Sequence, residues 1–372
     1  MAKVLVAMSG GVDSSVAAAL ALEQGHEVVG VTLKLWGGAS DSGCCSVADV
    51  EDARFVAHQL GIKHLVFNLT EEFDASVVNP YVRGYLGGAT PNPCIECNRS
   101  IKFDALCERA RTLGFDYLAT GHHARVGRLN GIPLIRRGVD VAKDQSYVLS
   151  VVPKDSIPSL MFPVGDMTKD RVRAIAADLG LRTAAKPDSL EVCFISRREG
   201  KESFLASRGT LHATRVIDRV TGEEYDDTSS FEGVTVGQRR RIGGLGDGMR
   251  RYVLAKDPKT RTIEVGTLDQ LTIDRLPVTM AIDYVGDGWP KAGQLQGSAH
   301  GATNPATLFA DELEFETPTR RIAPGQTVAL YREDLVIASA MVAMPATSID
   351  PRIIERSSIE HASIDQAGVG RG

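Results

Sequence analysis

The stretch that most constrains the fold lies near the N-terminus, where a strand-like run leads directly into glycines and a helix-like run. Val4 to Met8 is apolar, Ser9-Gly10-Gly11-Val12-Asp13-Ser14 follows, and the alanine-rich run Val16 to Gln24 ends at Gly25. Glycine lets the backbone approach oxygen atoms closely, and the first amide groups of a helix attract anions. The pattern therefore predicts a phosphate-binding loop, although a tight turn in any doubly wound domain would share it.

This loop differs from two common nucleotide-binding motifs. No lysine stands at the helix start, as GxxxxGK[ST] requires, and the GxGxxG spacing is absent. The string Ser9–Ser14 instead resembles the pyrophosphate-binding (PP) loop of the ATP pyrophosphatase superfamily, whose members use ATP to adenylate a carbonyl oxygen. The resemblance implies a nucleotide site here.

Strand and helix patterns alternate through about the first 205 residues. Short apolar strands between helices indicate an α/β fold with a doubly wound parallel sheet, in which ligands bind at the carboxyl ends of strands. Because Leu33 ends one predicted strand and Gly121 follows another, we expect an adenine or ribose to pack between them. The further predicted strands are Val28–Leu33, His64–Leu69 and Tyr117–Thr120, and the predicted helices are Val47–Leu60, Ile101–Leu113 and Thr168–Gly180.

Beyond residue 205 the helical periodicity fades and short alternating runs favour β-structure. We predict a PP-loop catalytic domain at 1–205, of adenine nucleotide alpha hydrolase-like fold, then a central β-rich domain at 206–275 and a C-terminal β-barrel-like domain at 276–355. The polar residues 356–372 predict a disordered tail, and Leu295–Pro305 predicts a loop. The predicted strands are Thr214–Asp218, Gly233–Gly237, Arg251–Ala255, Ile263–Gly266, Val278–Tyr284, Thr307–Phe315, Thr327–Tyr331 and Val336–Val342.

Charge and composition restrict the environment and the partners. With 42 basic and 47 acidic residues the net charge is −5, so a nucleic acid would have to bind local basic patches. No apolar run approaches the roughly 20 residues of a membrane helix, and the chain starts on a strand pattern, so we expect a cytoplasmic protein without a membrane partner. Six cysteines in such a chain favour catalysis, metal binding or core packing over a disulfide framework.

Two cysteines stand in loop-like surroundings. Pro91 and Pro93 predict a rigid loop that places Cys97 just ahead of the helix near Ile101, where the helix dipole favours a thiolate. Cys193 is the other cysteine in a similar setting.

Three interpretations of these cysteines remain open at this point. Both could be buried structural residues. Cys94, Cys97 and Cys193 could hold a metal or an iron–sulfur cluster. Alternatively, one thiol carries a persulfide while the other acts as nucleophile or resolving thiol, and an adenylating loop favours this interpretation because adenylation prepares an oxygen for replacement by sulfur.

Taken in order, the motifs resemble those of the bacterial tRNA-specific 2-thiouridylase (tRNA-uridine 2-sulfurtransferase) family over nearly the whole chain. Each segment is moderately specific, and their joint order is highly specific. The matching segments are Ser9–Ser14, Pro91-Asn92-Pro93, Cys97-Asn98 with Ile101-Lys102-Phe103, Gly121-His122-His123-Ala124-Arg125, Lys143–Tyr147, Lys186-Pro187-Asp188-Ser189 with Cys193-Phe194-Ile195, and Gly237-Gln238-Arg239.

The resemblance implies a substrate that composition does not show, the wobble uridine of certain tRNAs. It implies that Cys97 is the nucleophile and Cys193 the persulfide carrier. The residues implied to bind ATP are Ala7, Met8, Ser9, Gly10, Gly11, Val12, Asp13, Ser14, Leu33 and Gly121. Those implied to contact tRNA are Asn92, Pro93 and Cys94 at the target base, and Lys143, Asp144 and Gln145 elsewhere.

The chain departs from the family pattern in two places. Many members have an aspartate, implied to act as acid and base, where this chain has Cys94, and this departure adds weight to the iron–sulfur alternative. In the C-terminal third, Gly297–Gly301 replaces an Arg-Tyr-Arg-like strand that contacts tRNA in relatives, so we assign no tRNA contact there.

The mechanism expected from these features begins with ATP in the loop and Mg²⁺ between the phosphates and Asp13. The uridine C2 oxygen attacks the α-phosphate, a donor protein loads Cys193 with sulfur, and the terminal sulfur displaces AMP from C2. Cys97 then closes a disulfide with Cys193. Two other functions remain open, an amide-forming ATP ligase of the same superfamily and a tRNA-binding module that uses nucleotide as a switch. A monomer is favoured.

Overall fold

The structure is a computed structural model, and it describes residues 1–36, 47–188, 192–195, 200–240, 250–286 and 290–344. The predicted tail at 356–372 lies outside these residues. None of the helices in the described segments has the length and apolar character needed to cross a membrane.

In the described part of residues 1–188, strands and helices alternate as the sequence predicts. The strands are β1 Lys3–Ala7, β2 Glu27–Lys34, β3 Lys63–Asn68, β4 Tyr117–Thr120, β5 Ala124–Leu129, β6 Ile132–Arg137 and β7 Leu160–Met161. The helices are α1 Val12–Glu23, α2 Val47–Gln59, α3 Thr70–Phe73, α4 Asn79–Leu86, α5 Pro93–Glu96, α6 Leu106–Thr112 and α7 Lys169–Asp178, with a 3₁₀ turn at Lys154–Ser159. Two π-helical segments, Asp74–Val78 and Cys97–Ala105, connect α3 to α4 and α5 to α6.

Five of these strands form one parallel sheet in the order β3-β2-β1-β4-β7. The predicted doubly wound parallel sheet is therefore confirmed. The strand order reverses between β1 and β4, and ligands of such sheets bind outside the carboxyl ends of the strands at this switch point. The glycine loop follows β1, and Gly121 follows β4.

Successive residues of β1 enter the two hydrophobic cores on opposite faces of the sheet. Val4 and Val6 pack with residues of α1, α2 and α7, whereas Leu5 packs with Phe73 and Phe103 from the helical segment on the other face. The inner strands β1, β2 and β4 are mostly buried on both faces, which explains why they are largely apolar in sequence, whereas the edge strand β3 is exposed along most of its length.

The remaining described residues are mostly β-strands. After α8 Gly200–Ala206, the strands are β8 Ala213–Asp218, β9 Glu224–Ser230, β10 Arg239–Arg240, β11 Arg251–Asp257 and β12 Thr262–Gly266. A 3₁₀ turn at Asp269–Leu271 precedes β13 Thr272–Asp283, β14 Lys291–Gln296, β15 Thr303–Leu308, β16 Glu312–Arg320, β17 Thr327–Arg332 and β18 Leu335–Val342.

These strands form two further sheets, as the sequence predicts. The first has the order β10-β11-β12-β8-β9. In the second, β13 pairs with both β16 and β18, so the strands β13-β16-β15-β14-β17-β18 close into a barrel. The predicted β-rich second half is confirmed, whereas the domain boundaries at 205 and 275 stay predictions.

One hairpin from the first half joins the C-terminal sheet. Strand β6 pairs with β18 at Arg136 and Leu335, and β5 pairs with β6. Asp334 accepts hydrogen bonds from Arg136 and Arg125, at 2.6 and 3.3 Å. The hairpin was not predicted, because apolar and polar residues alternate only weakly along it and because its pairing partner lies about two hundred residues later in the chain.

Two predicted strands of the β-rich half are wrong, and one predicted loop is right only in part. Gly233–Gly237 forms turns rather than a strand, and Thr307–Phe315 is the hairpin end of β15 and β16 rather than one strand. Of Leu295–Pro305, residues 297–302 form the predicted loop, whereas its first two and last three residues belong to the paired ends of β14 and β15. Barrel strands have one solvated face, so polar residues there resemble a loop in sequence.

Candidate active site

The glycine loop is held tightly between β1 and α1. Gly10 has a φ of 71°, and a Cβ atom there would collide with the backbone of Asp49 at the start of α2. The hydroxyl of Ser14 accepts a hydrogen bond from Ser9 N at 3.1 Å and donates to Gly11 O at 3.1 Å. Glycine is therefore required at residue 10 both by conformation and by the close approach of α2.

The end of β4 reaches the same loop. A Cβ atom on Gly121 would lie 2.5 Å from Ser14 N and 2.6 Å from the carbonyl carbon of Asp13. Only glycine lets these two backbone segments approach so closely. As a result, nine of the ten residues predicted to bind nucleotide, all except Gly10, line one cavity of about 410 Å³, with Leu33 and Gly121 among them.

Lysines surround this cavity. Of the described residues that line it, four are lysines, although the glycine loop itself carries none: Lys102, Lys143, Lys169 and Lys186. Lys186 Nζ donates to Asp49 and Asp52, each at 2.6 Å, and to Gly10 O at 2.9 Å, so it joins the glycine loop to α2. Such a cavity suits a polyanion.

Lys169 lies between two carboxylates at the cavity wall. Its Nζ is 2.7 Å from both oxygens of Asp13 and 2.8 Å from Asp188 Oδ1. Burial alone would raise the pKa of the Asp13 carboxyl, but hydrogen bonds from His123 and Lys169 outweigh burial and hold that pKa below its ordinary value. Burial would also raise the pKa of the Asp188 carboxyl, but Lys143 and Lys169 outweigh burial and lower this pKa to about 2.

Neither Lys169 nor Asp188 is among the site residues predicted from the sequence. One local signal was present, because Lys169 is the first residue of α7, after the capping residue Thr168. A cation is unfavourable at a helix N-terminus, and residues that break local rules cluster at functional sites.

The turn after β4 carries two histidines with different surroundings. His122 Nδ1 lies 2.7 Å from Thr120 Oγ1, and burial, together with Lys102 and His123, lowers the pKa of His122 well below its ordinary value. His123 Nε2 lies 3.3 Å from Asp13 Oδ1. Both histidines line the cavity, and His122 is held there as a neutral imidazole near pH 7.

The three residues of the segment predicted to contact tRNA differ in their burial. Lys143 and Gln145 line the cavity, and Gln145 accepts a hydrogen bond from His123 N at 2.9 Å. Asp144 is buried, and its carboxylate accepts from Arg137, Gly138 N and Ser146. A direct tRNA contact of the Asp144 side chain is therefore incompatible with this structure, because its oxygens are already used inside the protein.

The predicted loop before Cys97 is wrong. Pro93 occupies the first position of a helix, Asn92 Oδ1 caps it by accepting from Cys94 N at 3.0 Å, and the helical segment runs on to Thr112. Proline is well tolerated at a first helical position, and asparagine is a preferred cap. Cys97 consequently lies inside the helix and is buried, while Cys94 lies at its N-terminus and is exposed.

Cys97 opens the π-helical segment of this helix. π-Helical turns are rare and occur often at functional sites. Asn98 donates from Nδ2 to Val148 O at 3.1 Å, and Lys102, five residues after Cys97, lines the cavity. Cys97 itself is not among the described residues that line the cavity, and its helix reaches the cavity wall one π-helical turn later, at Lys102.

The Cys193 segment is anchored by its neighbour Phe194. The Phe194 ring packs edge-on against Phe73 and Tyr81, at centroid distances of 5.7 and 5.4 Å, and Cys193 packs against the same core that contains Cys97. Burial raises the pKa of Tyr81, with smaller contributions from Tyr85 and Cys94, so Tyr81 lies near Cys94 too. The two cysteine segments therefore meet at Tyr81.

Metal ligands are not preassembled in the described part of the chain. No three His, Cys, Asp or Glu side chains there are arranged to hold a metal ion. In this structure Cys94, Cys97 and Cys193 are not assembled as a three-ligand group, with Cys94 exposed and Cys97 buried. Both oxygens of Asp13 contact Lys169, which leaves this carboxylate poorly suited to Mg²⁺ in this arrangement.

The barrel also contributes to the cavity. His300, in the connection between β14 and β15, lines it, and among the described lining residues it alone follows residue 188. The connection is tied down by Tyr147, which donates to Gly297 O at 3.2 Å, and by Gln296, which donates to Ser298 O at 2.9 Å. No sequence motif indicated this approach.

Two family models match the chain. One, described as a tRNA methyl transferase HUP domain, covers residues 2–197, and the other, an aminomethyltransferase beta-barrel domain, covers residues 303–342. The chain is 42% identical over 365 residues to the tRNA-specific 2-thiouridylase MnmA of Saccharopolyspora erythraea, covering 92% of this chain and 99% of that protein. It is 43% identical over 360 residues to the protein of the same name from Mycolicibacterium smegmatis, covering 91% and 99%. The Roseiflexus castenholzii protein is 40% identical over 372 residues, covering 92% and 100%.

Proposed function

This chain belongs to the family of tRNA-specific 2-thiouridylases, and from that membership we propose that it replaces the C2 oxygen of the wobble uridine of tRNA with sulfur, at the expense of ATP. The family model carries a methyltransferase description, whereas the relatives that match nearly end to end are thiouridylases. One observation favours the thiouridylase activity most directly. The helix that contains Cys97 also carries Lys102, which lines the cavity of the glycine loop.

ATP is the substrate we assign to this cavity. Leu33 and Gly121 flank the space for adenine or ribose, and the loop from Ala7 to Ser14 faces the phosphates with the first amide groups of α1 behind it. The four lysines supply positive charge where pyrophosphate develops and leaves. Mg²⁺ on the phosphates remains part of the proposal, since phosphate oxygens and water suit this ion.

The first chemical step activates the base. The C2 oxygen of the uridine attacks the α-phosphorus of ATP, a bond forms between them, and pyrophosphate leaves. The target C2 atom is hard to reach in a stacked base, so we expect the uridine to be flipped out. We assign its contact to the start of the helix at Asn92, Pro93 and Cys94, where Cys94 is exposed, with Lys143 and Gln145 contacting the tRNA nearby.

Sulfur transfer follows at the two thiols. A donor protein transfers a sulfur atom to Cys193, giving a persulfide. The terminal sulfur attacks C2, AMP leaves, and the base is then joined to Cys193 through a sulfur–sulfur bond. The Cys97 thiolate attacks the Cys193 sulfur, which releases the thiouridine and leaves a Cys97–Cys193 disulfide that a cellular thiol reductant reopens.

A tRNA substrate also supports the cytoplasmic location predicted from the sequence. In place of direct binding, we assign Asp144 a positioning role, because its Oδ1 accepts from Gly138 N and Ser146 N and so holds the backbone on both sides of Lys143. The experiment below also distinguishes the two-thiol mechanism from iron–sulfur chemistry through Cys94, Cys97 and Cys193.

Mass analysis of tRNA nucleosides tests the proposal. The wild-type chain, incubated with ATP, unmodified tRNA, a thiol reductant and polysulfide, which transfers zero-valent sulfur to Cys193 and leaves a shorter polysulfide, is expected to yield 2-thiouridine and AMP. Cys97→Ala and Cys193→Ala should abolish the product, whereas the matched control Cys107→Ala, a buried cysteine whose pKa burial raises to about 11, should retain it.

Three results would contradict parts of the proposal. Full activity of both the Cys97→Ala and Cys193→Ala variants would exclude the two-thiol mechanism. Activity that requires anaerobically supplied iron and all of Cys94, Cys97 and Cys193 would favour the cluster. A methylated nucleoside in place of a thiolated one would exclude sulfur transfer altogether.

A further inference from the structure

Three cations share two carboxylates at the wall of the nucleotide cavity. Lys169 contacts Asp13 and Asp188, while Lys143 and Arg173 contact Asp188 at 2.8 and 2.9 Å. Asp140 lies beside the same cations, since its Oδ2 accepts from Lys169 N, so three carboxylates balance the three cations. Two of these cations, Lys143 and Lys169, line the cavity, where an anionic ligand would meet their ammonium groups.

Lys169 is the most constrained of the three cations. Its side chain is 9% exposed, and its backbone N–H donates to Asp140 Oδ2 at 2.9 Å, which fixes the start of α7. Asp13 lies in the first turn of α1. The N-termini of α1 and α7 therefore both reach the cavity, and the Lys169–Asp13 ion pair joins them.

Stability alone does not account for this arrangement. A buried ion pair often contributes no more than well-packed apolar residues would, and a lysine in the first turn of a helix is opposed by the dipole. Because this unfavourably placed lysine faces the cavity, a ligand that binds its ammonium group explains the presence of Lys169 better than stability does.

We propose that Lys169 is a catalytic residue that binds the phosphates of ATP and that Asp13 and Asp188 serve to hold its ammonium group in place. This inference rests on the proposed ATP-dependent function. The lysine that the glycine loop lacks is thus supplied by a helix more than 150 residues later in the chain. Asp13, with both oxygens on Lys169, acts as a positioning residue rather than as a ligand of Mg²⁺.

The test compares affinities for ATP and for adenosine, which shares the base and ribose but has no phosphate. Lys169→Met is expected to weaken ATP binding about tenfold or more while adenosine binding stays unchanged, as for the loss of a hydrogen bond to a charged group. The control Lys154→Met removes an exposed lysine outside the described cavity wall and should alter neither affinity. Both affinities can be measured by calorimetric titration.

A second variant tests whether a loss of ATP affinity in Lys169→Met comes from misfolding. Lys169→Met leaves two carboxylates with less compensation, so the double variant Lys169→Met/Asp13→Asn removes one charge of each sign. We expect the double variant to bind adenosine normally and to show the same loss of ATP affinity. Asp13→Asn alone should weaken ATP binding less and leave the half-saturating Mg²⁺ concentration of the reaction unchanged.

The outcomes separate this inference from the proposed function. If the wild type forms 2-thiouridine but Lys169→Met and the double variant keep the wild-type ratio of ATP to adenosine affinity, Lys169 has only a structural role. A higher half-saturating Mg²⁺ concentration for Asp13→Asn would indicate that Asp13 binds the metal, and it would contradict a purely positioning role. If the wild type neither binds ATP nor forms 2-thiouridine, the proposed function itself is wrong.

Discussion

Gly121, at the end of β4, lies so close to Ser14 in α1 that a Cβ atom on residue 121 would be 2.5 Å from the Ser14 amide nitrogen. The contact joins the two sides of the switch point in the parallel sheet. It brings the turn after β4 against the glycine loop, and the nucleotide cavity depends on this close approach.

Gly121→Ala should therefore damage the cavity. The added methyl group must push α1 away from β4, because its nearest neighbours are backbone atoms rather than a flexible side chain. We expect a loss of about 1–3 kcal/mol in the free energy of unfolding and a marked loss of ATP affinity. Chemical denaturation and calorimetric titration measure the two effects.

Gly222→Ala is the control for this change. Gly222 has a φ of 78° with nothing near its missing side chain, so alanine there introduces backbone strain without a collision. It should lower stability and leave ATP affinity intact. Equal ATP affinities for Gly121→Ala and the wild type would show that the close approach does not shape the site.

Asn92→Ala should weaken the start of the helix that carries Cys97. The change removes the acceptor for Cys94 N and is expected to cost about 1 kcal/mol, the usual loss for a helix cap. We expect thiolated product to form more slowly while ATP affinity is unchanged. Asn92→Asp keeps a capping oxygen, so recovery of the rate in that variant would separate capping from a specific contact of the amide.

Asp144→Asn tests whether this residue acts inside the protein or on tRNA. Breaking its buried ion pair with Arg137 is expected to cost about 3–5 kcal/mol of unfolding free energy in the absence of tRNA. Thermal and denaturant unfolding measure that cost. An unchanged stability combined with weaker tRNA binding would instead support the contact implied by the family resemblance.

Stability should fall as the pH is lowered from 7 through about 6, in part because of His122. Its pKa in the folded protein lies well below the ordinary value of 6.5, chiefly through burial, so the unfolded chain binds the proton first. The resulting slope is at most about 1.4 kcal/mol per pH unit for one group. Below the pKa that His122 has in the folded protein, this residue no longer contributes to the change of unfolding free energy with pH.

Denaturation at a series of pH values measures this slope. His64, whose pKa burial also lowers, contributes over the same range. Asp13 and Asp188 also have lowered pKa values, but their stabilisation is present above the ordinary value of 3.8 and is lost only at more acidic pH. A His122→Asn variant with an unchanged slope between pH 7 and 5 would contradict the assignment to His122.

Much of the parallel sheet could be predicted, because its inner strands are short apolar runs and the helices between them have recognisable ends. The glycine loop and Gly121 were selected correctly as neighbours, since both follow strands of one sheet. The helix at Pro93–Thr112 was predicted to start too late, because two prolines were interpreted as a loop although Pro93 fits the first helical position.

The sequence by itself determined most of the order of strands and helices and the glycine-rich turn at Ser9–Ser14, because these depend on short-range spacing. Its resemblance to the family selected Cys97 and Cys193 as the candidate thiols. The tertiary structure alone decided which charged groups meet in the cavity, that hairpin β5–β6 joins the barrel and that His300 approaches the nucleotide site. Lys169 and Asp13 are 156 residues apart in the chain and 2.7 Å apart in the structure. Local patterns carry no information about such a contact, since it forms only when the whole sheet brings the N-termini of α1 and α7 together.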